Sequence, residues 1–428
     1  MSGHPTPTDD PMVDVAGRWA WAEVDLGAVA WNVDVLRRAA APAEVWAVVK
    51  ADGYGHGAVA VARTVLDAGA TGLCVALVQE GEELRRAGID APVLVLSEQP
   101  EHQLERSVAA ALEHTVYRSE TVVRLAETAT AAGSEPVGVH VKVDTGMQRV
   151  GADPGEVLDI VDAVLAARPS LRLAGLCTHL AVADEPDHPM NRVQLDRFAA
   201  VVERVTARLV AAGEDPSTLR VHAANSAGAL AHPGARRSFV RAGIAVYGIS
   251  PGAGVDQLAA ELRPAMRLVA RVTLVKRVRA GTGVSYGLRH TFERDTTVAT
   301  VPLGYADGVP RRLGTTGGEV LVGGRRCPIV GVVTMDQLMV DVGGLPVGVG
   351  DEVVLLGRQG DEEIRAEEWA ARLDTIGYEV VCGIGPRVER VVARSGPDPL
   401  ATRSLRGRAE GSAASTSDTA GRAMPGPA

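Results

Sequence analysis

From about residue 27 to 250, short apolar runs alternate with longer stretches of helical periodicity, the pattern of repeated β-α units and so of a parallel sheet. The runs that read as strands are Trp46–Val49, Gly72–Val78, Pro92–Leu96, Thr115–Tyr117, Val137–Val143, Leu173–Cys177, Leu219–Ala223 and Phe239–Arg241. Between them, Gly57–Ala68, Glu120–Ala131, Glu156–Ala167 and Asn191–Ala212 carry apolar positions at helical spacing, as helices covering the outside of a closed sheet do. Eight strands with intervening helices in about 220 residues predict an α/β fold, a TIM (β/α)8 barrel. After Ala253 the pattern changes to Val-rich runs separated by Gly and Pro turns, at Leu268–Val278, Thr297–Val301, Glu319–Val322, Ile329–Val333 and Glu352–Leu355. They predict a mostly β C-terminal domain, interrupted by one helical pattern, Ala366–Leu373, before a last apolar run at Tyr378–Val381. Residues 1–18 and 396–428 show no apolar periodicity and read as disordered tails. The barrel then occupies 19–253, with a first segment at about 19–26 that is a candidate to join the β domain, and the β-rich domain occupies 254–395.

Charge and composition narrow the function classes. The chain has 428 residues, with 53 acidic against 44 basic side chains and a formal net charge of −9, which gives no electrostatic footprint for nucleic acid. The first 18 residues have no apolar core that could serve as a secretory signal, and no long uncharged apolar run follows, so a cytoplasmic protein with no membrane partner is expected. Cys74, Cys177, Cys327 and Cys382 lie far apart with no C-x-x-C pair, so no metal site is written here. Cys74 and Cys177 sit inside apolar runs and read as small buried hydrophobes.

In a β/α barrel the chemistry sits at the C-terminal ends of the strands. Here those ends are unusually polar. The first strand ends in Lys50, the sixth in Thr178 and His179, and the seventh in Asn225 and Ser226, while the eighth runs through Arg241 to Gly243 and Ile244. Lys50 opens Lys-Ala-Asp-Gly-Tyr-Gly-His-Gly, whose three glycines allow positive φ and leave little bulk around the amine and the Tyr54 hydroxyl. Five of the six tyrosines touch a glycine: Tyr54, Tyr247, Tyr286, Tyr305 and Tyr378. As a set, their hydroxyls are expected in a shared pocket, although Tyr247 alone reads equally well as structural. Ser226 and the Gly243-Ile244 backbone follow the seventh and eighth strands, where barrels commonly hold a phosphate. A phosphate cradle opposite a strand-end lysine points to pyridoxal phosphate, with Lys50 as its covalent anchor and Arg241 placed to meet the pyridine nitrogen.

Over about residues 19–393 the chain resembles the bacterial alanine racemases, fold-type III pyridoxal phosphate enzymes. The resemblance rests on Ala47–Gly57, Lys142–Arg149, Thr178-His179, Asn225-Ser226, Arg241–Gly248, Ser285–Gly287, Gly304–Gly308, Met335–Gln337 and Gly377–Glu379. It implies L- and D-alanine interconversion by two bases, Lys50 and Tyr286, on opposite faces of the reacting carbon. It also implies a head-to-tail homodimer in which Tyr286 reaches the site from the second subunit, and a role in supplying D-alanine for peptidoglycan. Tyr54, Ser226, Gly243, Ile244 and Tyr378 would hold the phosphate. Arg149 would lie near the phenolic oxygen and the substrate carboxylate, to which Met335 offers its N–H, with Tyr305 and Asp336 also on the substrate side. His179 would bridge Tyr286 and Arg241. Arg241 would keep the ring nitrogen unprotonated and a poorer electron sink, because a guanidinium does not give up its proton. Lys142 matches a position that some members carry as a carbamylated lysine, and Asp184 and Arg311 match positions lining a substrate corridor. Val332 departs from the Arg that often guards that corridor, and Thr334 from a Cys or Ser.

Two alternatives remain at this point. One is a broader-specificity amino-acid racemase, which the Val332 departure leaves open. The other is a barrel that binds pyridoxal phosphate without turnover, a reading that leaves the β domain with Tyr286 and Met335 unused.

Overall fold

The computed structural model describes residues 17–393. A first strand, β1 (Ala20–Val24), precedes the eight strands of the barrel: β2 (Glu44–Val48), β3 (Gly72–Val75), β4 (Val93–Val95), β5 (Glu113–Val116), β6 (Val137–Lys142), β7 (Leu171–Cys177), β8 (Arg220–His222) and β9 (Phe239–Ala242). All neighbours pair in parallel in the order β8-β7-β6-β5-β4-β3-β2-β9. The β8–β9 seam is bridged by two backbone bonds of 2.9 Å, Ser238 N–H to the Val221 carbonyl and Arg241 N–H to the Ala224 carbonyl. The expected (β/α)8 barrel is therefore nearly closed.

Helices cover the outside, and local signals set their ends. Asp25 caps Leu26–Ala40 by accepting from Ala28 N–H, Pro189 opens Pro189–Ala211, and Gly133 at φ 59° ends Ser119–Ala132. The expected strand Gly72–Val78 stops at Val75 because the Glu80 carboxylate accepts the Ala76 and Leu77 N–H groups, starting a helix at Val78. Inside the barrel, Phe239 stacks with Trp46 at 4.4 Å and with His222 at 4.2 Å between ring centroids. Trp46 is fully buried, so Trp46→Ala is expected to cost about 3–5 kcal/mol, read as a lowered denaturant midpoint with unchanged slope.

The second part of the chain is mostly β, as expected. One sheet has the order Arg325–Pro328, Glu319–Val322, Glu352–Gln359, Met266–Arg271, β1, Glu389–Val392; another joins Leu274–Val278, Thr296–Val301 and Leu338–Asp341. β1 thus pairs antiparallel with Met266–Arg271 and parallel with Glu389–Val392. Three details differ from the sequence reading. The run Leu268–Val278 is two strands, because Val272 N–H bonds to Asp351 and Thr273 N–H to Thr300, so the chain changes sheets there. Ile329–Val333 is no strand beyond a single bridge from Ile329 to Val340. The run Tyr378–Val381 is helical, in Gly377–Cys382, since so short an apolar stretch has no period to separate helix from strand. The expected disordered tails lie outside the described residues except for Gly17 and Arg18, and Arg18 pairs with Asp307. Among the described residues no helix is long and apolar enough to cross a membrane, and no cluster of His, Cys, Asp and Glu has metal-binding geometry.

Candidate active site

Where β2 ends, the chain makes a turn that L-residues rarely adopt. Ala51, Asp52, Gly53 and Tyr54 all have φ between 51° and 60° and ψ between 40° and 50°, a left-handed turn that includes three non-glycine residues. Each such residue costs roughly 1–2 kcal/mol, so the surroundings must hold the turn in place. They do so through Ala51 N–H to Glu80 (2.7 Å), Ala58 N–H to the Asp52 carboxylate (2.8 Å) and the Arg390 guanidinium to the Gly55 carbonyl (2.9 Å). Gly55 and Gly57 continue at φ 79° and 94°. The outcome is that Lys50 and Tyr54 are presented at the C-terminal mouth of the barrel.

That mouth opens a cavity of about 690 Å³. Its lining includes Lys50, Tyr54, Lys142, Arg149, His179, Ser226, Arg241, Gly243, Ile244 and Tyr378, so ten of the residues singled out in the sequence come together. Tyr378 arrives from the β domain on the Gly377–Cys382 helix, which packs over the left-handed turn: a side-chain carbon at Gly55 would lie 2.6 Å from the Val381 carbonyl. At one side, Ser226 Oγ accepts the Gly243 N–H at 2.8 Å, with Asn225 capping the helix that Ser226 begins. A side-chain carbon at Gly243 would lie 2.6 Å from the Tyr54 hydroxyl, so only glycine lets backbone and phenol approach this closely. Burial pushes the Tyr54 and Tyr378 phenols above their ordinary range, so both remain protonated hydrogen-bond donors.

Arg241 is 6% exposed and heavily engaged. Its Nη1 donates to His222 Nδ1 at 2.6 Å, and its Nη2 is shared among the Thr178 carbonyl (2.8 Å), the Ala223 carbonyl (3.0 Å) and His179 Nδ1 (3.2 Å). The Nε–H has no acceptor among the described residues and remains for a group in the pocket. Burial, reinforced by the Arg241, Lys142, Arg149 and Lys50 cations, drives His179 well below the ordinary imidazole range, so it is neutral. With Nδ1 accepting from Arg241, its proton sits on Nε2. Lys142, 8% exposed, is likewise lowered by burial, with Arg241 and Arg149 adding to the effect. Arg149 is placed by an Asx turn in which one Asp144 oxygen accepts the N–H groups of Gly146, Met147 and Gln148 at 2.9–3.1 Å.

Apart from Tyr378, the β-domain candidates do not line this cavity within one chain. Tyr286 is 71% exposed on a turn fixed by Ser285 Oγ donating to the Val332 carbonyl at 2.6 Å, and Met335 is 53% exposed. The Met335 N–H has no acceptor among the described residues, and its carbonyl receives Ala306 N–H at 3.0 Å. Tyr305 is also exposed, while the Asp336 carboxylate is taken up by Arg387 at 2.7 Å. Asp184 and Arg311 lie outside the cavity lining. Val332 is buried, and Thr334 closes the Met335 loop through Oγ1 to the Gln337 carbonyl. Of the five tyrosines expected to share a pocket, Tyr247 is the one whose hydroxyl is engaged elsewhere. Tyr54 and Tyr378 line the cavity, whereas Tyr247 is fully buried and donates to the Val48 carbonyl at 2.9 Å, which fixes the end of β2. His222 was missed by the sequence reading; the signal was a histidine inside an apolar barrel strand, three residues before Asn225.

A nearly closed β/α barrel with a lysine and a hydroxyl-and-backbone cradle at its C-terminal mouth, joined there by Tyr378 from the β domain, defines a barrel enzyme. Sequence profiles of the alanine racemase N-terminal domain and C-terminal domain match residues 24–251 and 265–392. The alanine racemase of Symbiobacterium thermophilum is 49% identical over 374 residues, which cover 87% of this chain and 97% of that protein. The crystal structure of alanine racemase from D-cycloserine-producing Streptomyces lavendulae superposes with a TM-score of 0.82 at 39% identity, covering 89% of this chain and 98% of that one. The alanine racemase of Bartonella henselae, whose structure carries covalently bound pyridoxal phosphate, gives a TM-score of 0.77 at 28% identity, covering 88% and 100%. The chain belongs to the alanine racemase family and is an enzyme of that class.

Proposed function

We propose that the protein interconverts L- and D-alanine with pyridoxal 5'-phosphate held in the barrel mouth, using Lys50 and Tyr286 as the two bases, in a head-to-tail homodimer that supplies D-alanine for peptidoglycan. The observation that carries this reading is one cavity lined by Lys50, by Arg241, whose Nε–H has no acceptor among the described residues, and by a cradle of two phenols, a serine and the Gly243-Ile244 backbone. It fits a flat heterocycle with a phosphate at one end and an amine-reactive carbon at the other. Lys50 would carry the cofactor covalently; Tyr54, Ser226, Gly243, Ile244 and Tyr378 would hold its phosphate, and Arg241 would meet its ring nitrogen. When bound, the cofactor supplies an electron sink for the alanine Cα.

Lys50 then moves a proton at Cα on one face, and a second base must act on the other. Tyr286 does not line the cavity of its own chain; it stands exposed, as do Leu288 at 64% and Met335. A second copy seated over the mouth would bury these residues and bring Tyr286, the Met335 N–H, Tyr305 and Asp336 to the alanine carboxylate and Arg149. The neutral His179, with its proton on Nε2, is suited to steer the phenol of Tyr286. Depressed basicity at Lys142 leaves more of the neutral amine that carbon dioxide can modify, which supports carbamylation there. Electron density extending beyond Nζ would bear this out, and a bare amine would remove it.

Incubation of the purified protein with L-alanine, L-serine and L-lysine in deuterated water tests the reading. D-alanine formed fastest, with deuterium at Cα, is the expected result; a faster serine or lysine product would move the assignment to a broader racemase. Ser226→Ala is expected to weaken cofactor retention about tenfold, since one charge-assisted hydrogen bond is lost, and a dialysis series followed at the cofactor's visible absorbance measures it.

A further inference from the structure

Behind Arg241 runs a line of buried polar side chains with no part in the steps above. His222 Nε2 is 2.9 Å from His140 Nδ1, and His140 Nε2 is 2.9 Å from a Glu113 carboxylate oxygen. The other Glu113 oxygen accepts from Arg172 at 2.6 Å. His222 and His140 are wholly buried and Glu113 is 8% exposed, whereas the Arg172 side chain is 53% exposed. The line therefore crosses the barrel core from the cofactor-side mouth to the opposite end. Space is made for it: a side-chain carbon at Gly175 would lie 2.2 Å from His140 Nδ1.

The donors and acceptors admit only one arrangement. Arg241 and Arg172 can only donate, and an ionised Glu113 can only accept. Arg241 N–H must donate to His222 Nδ1, so His222 carries its proton on Nε2. That proton is donated to His140 Nδ1, whose own Nε2–H is donated to Glu113. Burial alone would raise the Glu113 carboxyl, but its bonds to His140 and Arg172 outweigh burial and hold it at about 2. Burial, with Arg241 the nearest cation, keeps His222 neutral, and burial outweighs Glu113 at His140.

We infer that Glu113, anchored by Arg172, acts through His140 and His222 as a positioning residue that sets how strongly Arg241 donates to the cofactor's ring nitrogen. The functional half of this inference rests on the placement of Arg241 proposed above. Hydrogen bonds in a chain polarise one another. The carboxylate pulls on His140, making His222 Nδ1 a better acceptor, and Arg241 spends more of its charge there and less on the ring nitrogen. A proton path is the weaker reading, because a guanidinium in the chain does not release its proton.

The test uses holoenzyme and cofactor-free protein with ¹⁵N-labelled histidine, and holoenzyme loaded with cofactor labelled at the ring nitrogen. In cofactor-free wild type, both His222 and His140 are expected to show Nε2 protonated and Nδ1 unprotonated. Glu113→Gln removes the pull: the His140 and His222 signals shift toward mixed tautomers, and the ring-nitrogen resonance moves upfield as Arg241 donates more strongly. Arg172→Met leaves a more basic carboxylate and is expected to move the ring nitrogen the opposite way. Because Arg172 is largely exposed, this variant decides the matter if Glu113→Gln fails to fold. Imidazole signals unchanged in the folded variants, or ring-nitrogen shifts in the same direction for both, would overturn the inference. Imidazole signals that move while the ring nitrogen stays still would instead overturn the placement of Arg241 at that nitrogen.

Discussion

Lys50→Ala is expected to leave a folded protein that shows no visible absorbance from bound cofactor and whose racemase activity falls by at least about 10⁴-fold. Folding is expected to survive because the left-handed turn after β2 is held by backbone and carboxylate contacts at Ala51, Ala58 and Gly55, none of which uses the lysine side chain. What disappears is the covalent anchor and one of the two bases at once, so added free cofactor should not restore turnover. Lys142 also lines the cavity and is the alternative anchor. Absorbance retained by Lys50→Ala and abolished by Lys142→Ala would assign the anchor to Lys142.

Tyr286→Phe separates binding from racemisation. The phenol lies on an exposed turn remote from the cradle of its own chain, so cofactor retention is expected to be unchanged. Loss of one base should lower interconversion by about 10²–10⁴-fold. The remaining base still serves one face, so one alanine enantiomer should go on exchanging its α-hydrogen with deuterated solvent without giving its mirror image. A loss under tenfold, or equal loss of exchange from both enantiomers, would contradict the assignment of Tyr286 as the second base.

The barrel was legible because its strands are buried on both faces and so stand out as apolar runs. Polar residues at the ends of those runs, Lys50, His179, Ser226 and Arg241, could then be read as one site, and they do line one cavity. The short apolar runs of the β domain were harder. Tyr378–Val381 has too few residues to show a period and is a helix, and Leu268–Val278 hides a change of sheet at Val272 that only its hydrogen-bond partners reveal. Tyr247 shared its Gly neighbour with the pocket tyrosines, yet its hydroxyl is consumed by the Val48 carbonyl. The Glu113-His140-His222 line was invisible for a different reason: its members lie 27 and 82 residues apart, Glu113 and His140 meeting from the adjacent strands β5 and β6 and His140 and His222 from β6 and β8, with β7 between them.

The central claim, one alanine racemisation site built from Lys50 of one subunit and Tyr286 of another, is tested most directly by mixing the two inactive variants. Lys50→Ala and Tyr286→Phe protomers are dissociated, combined and reassociated. Each mixed dimer would hold one intact site and one doubly defective site, so random pairing should restore about a quarter of wild-type alanine racemisation. A mixture as inactive as its parents, after mass measurement has shown that mixed dimers formed, would contradict the account.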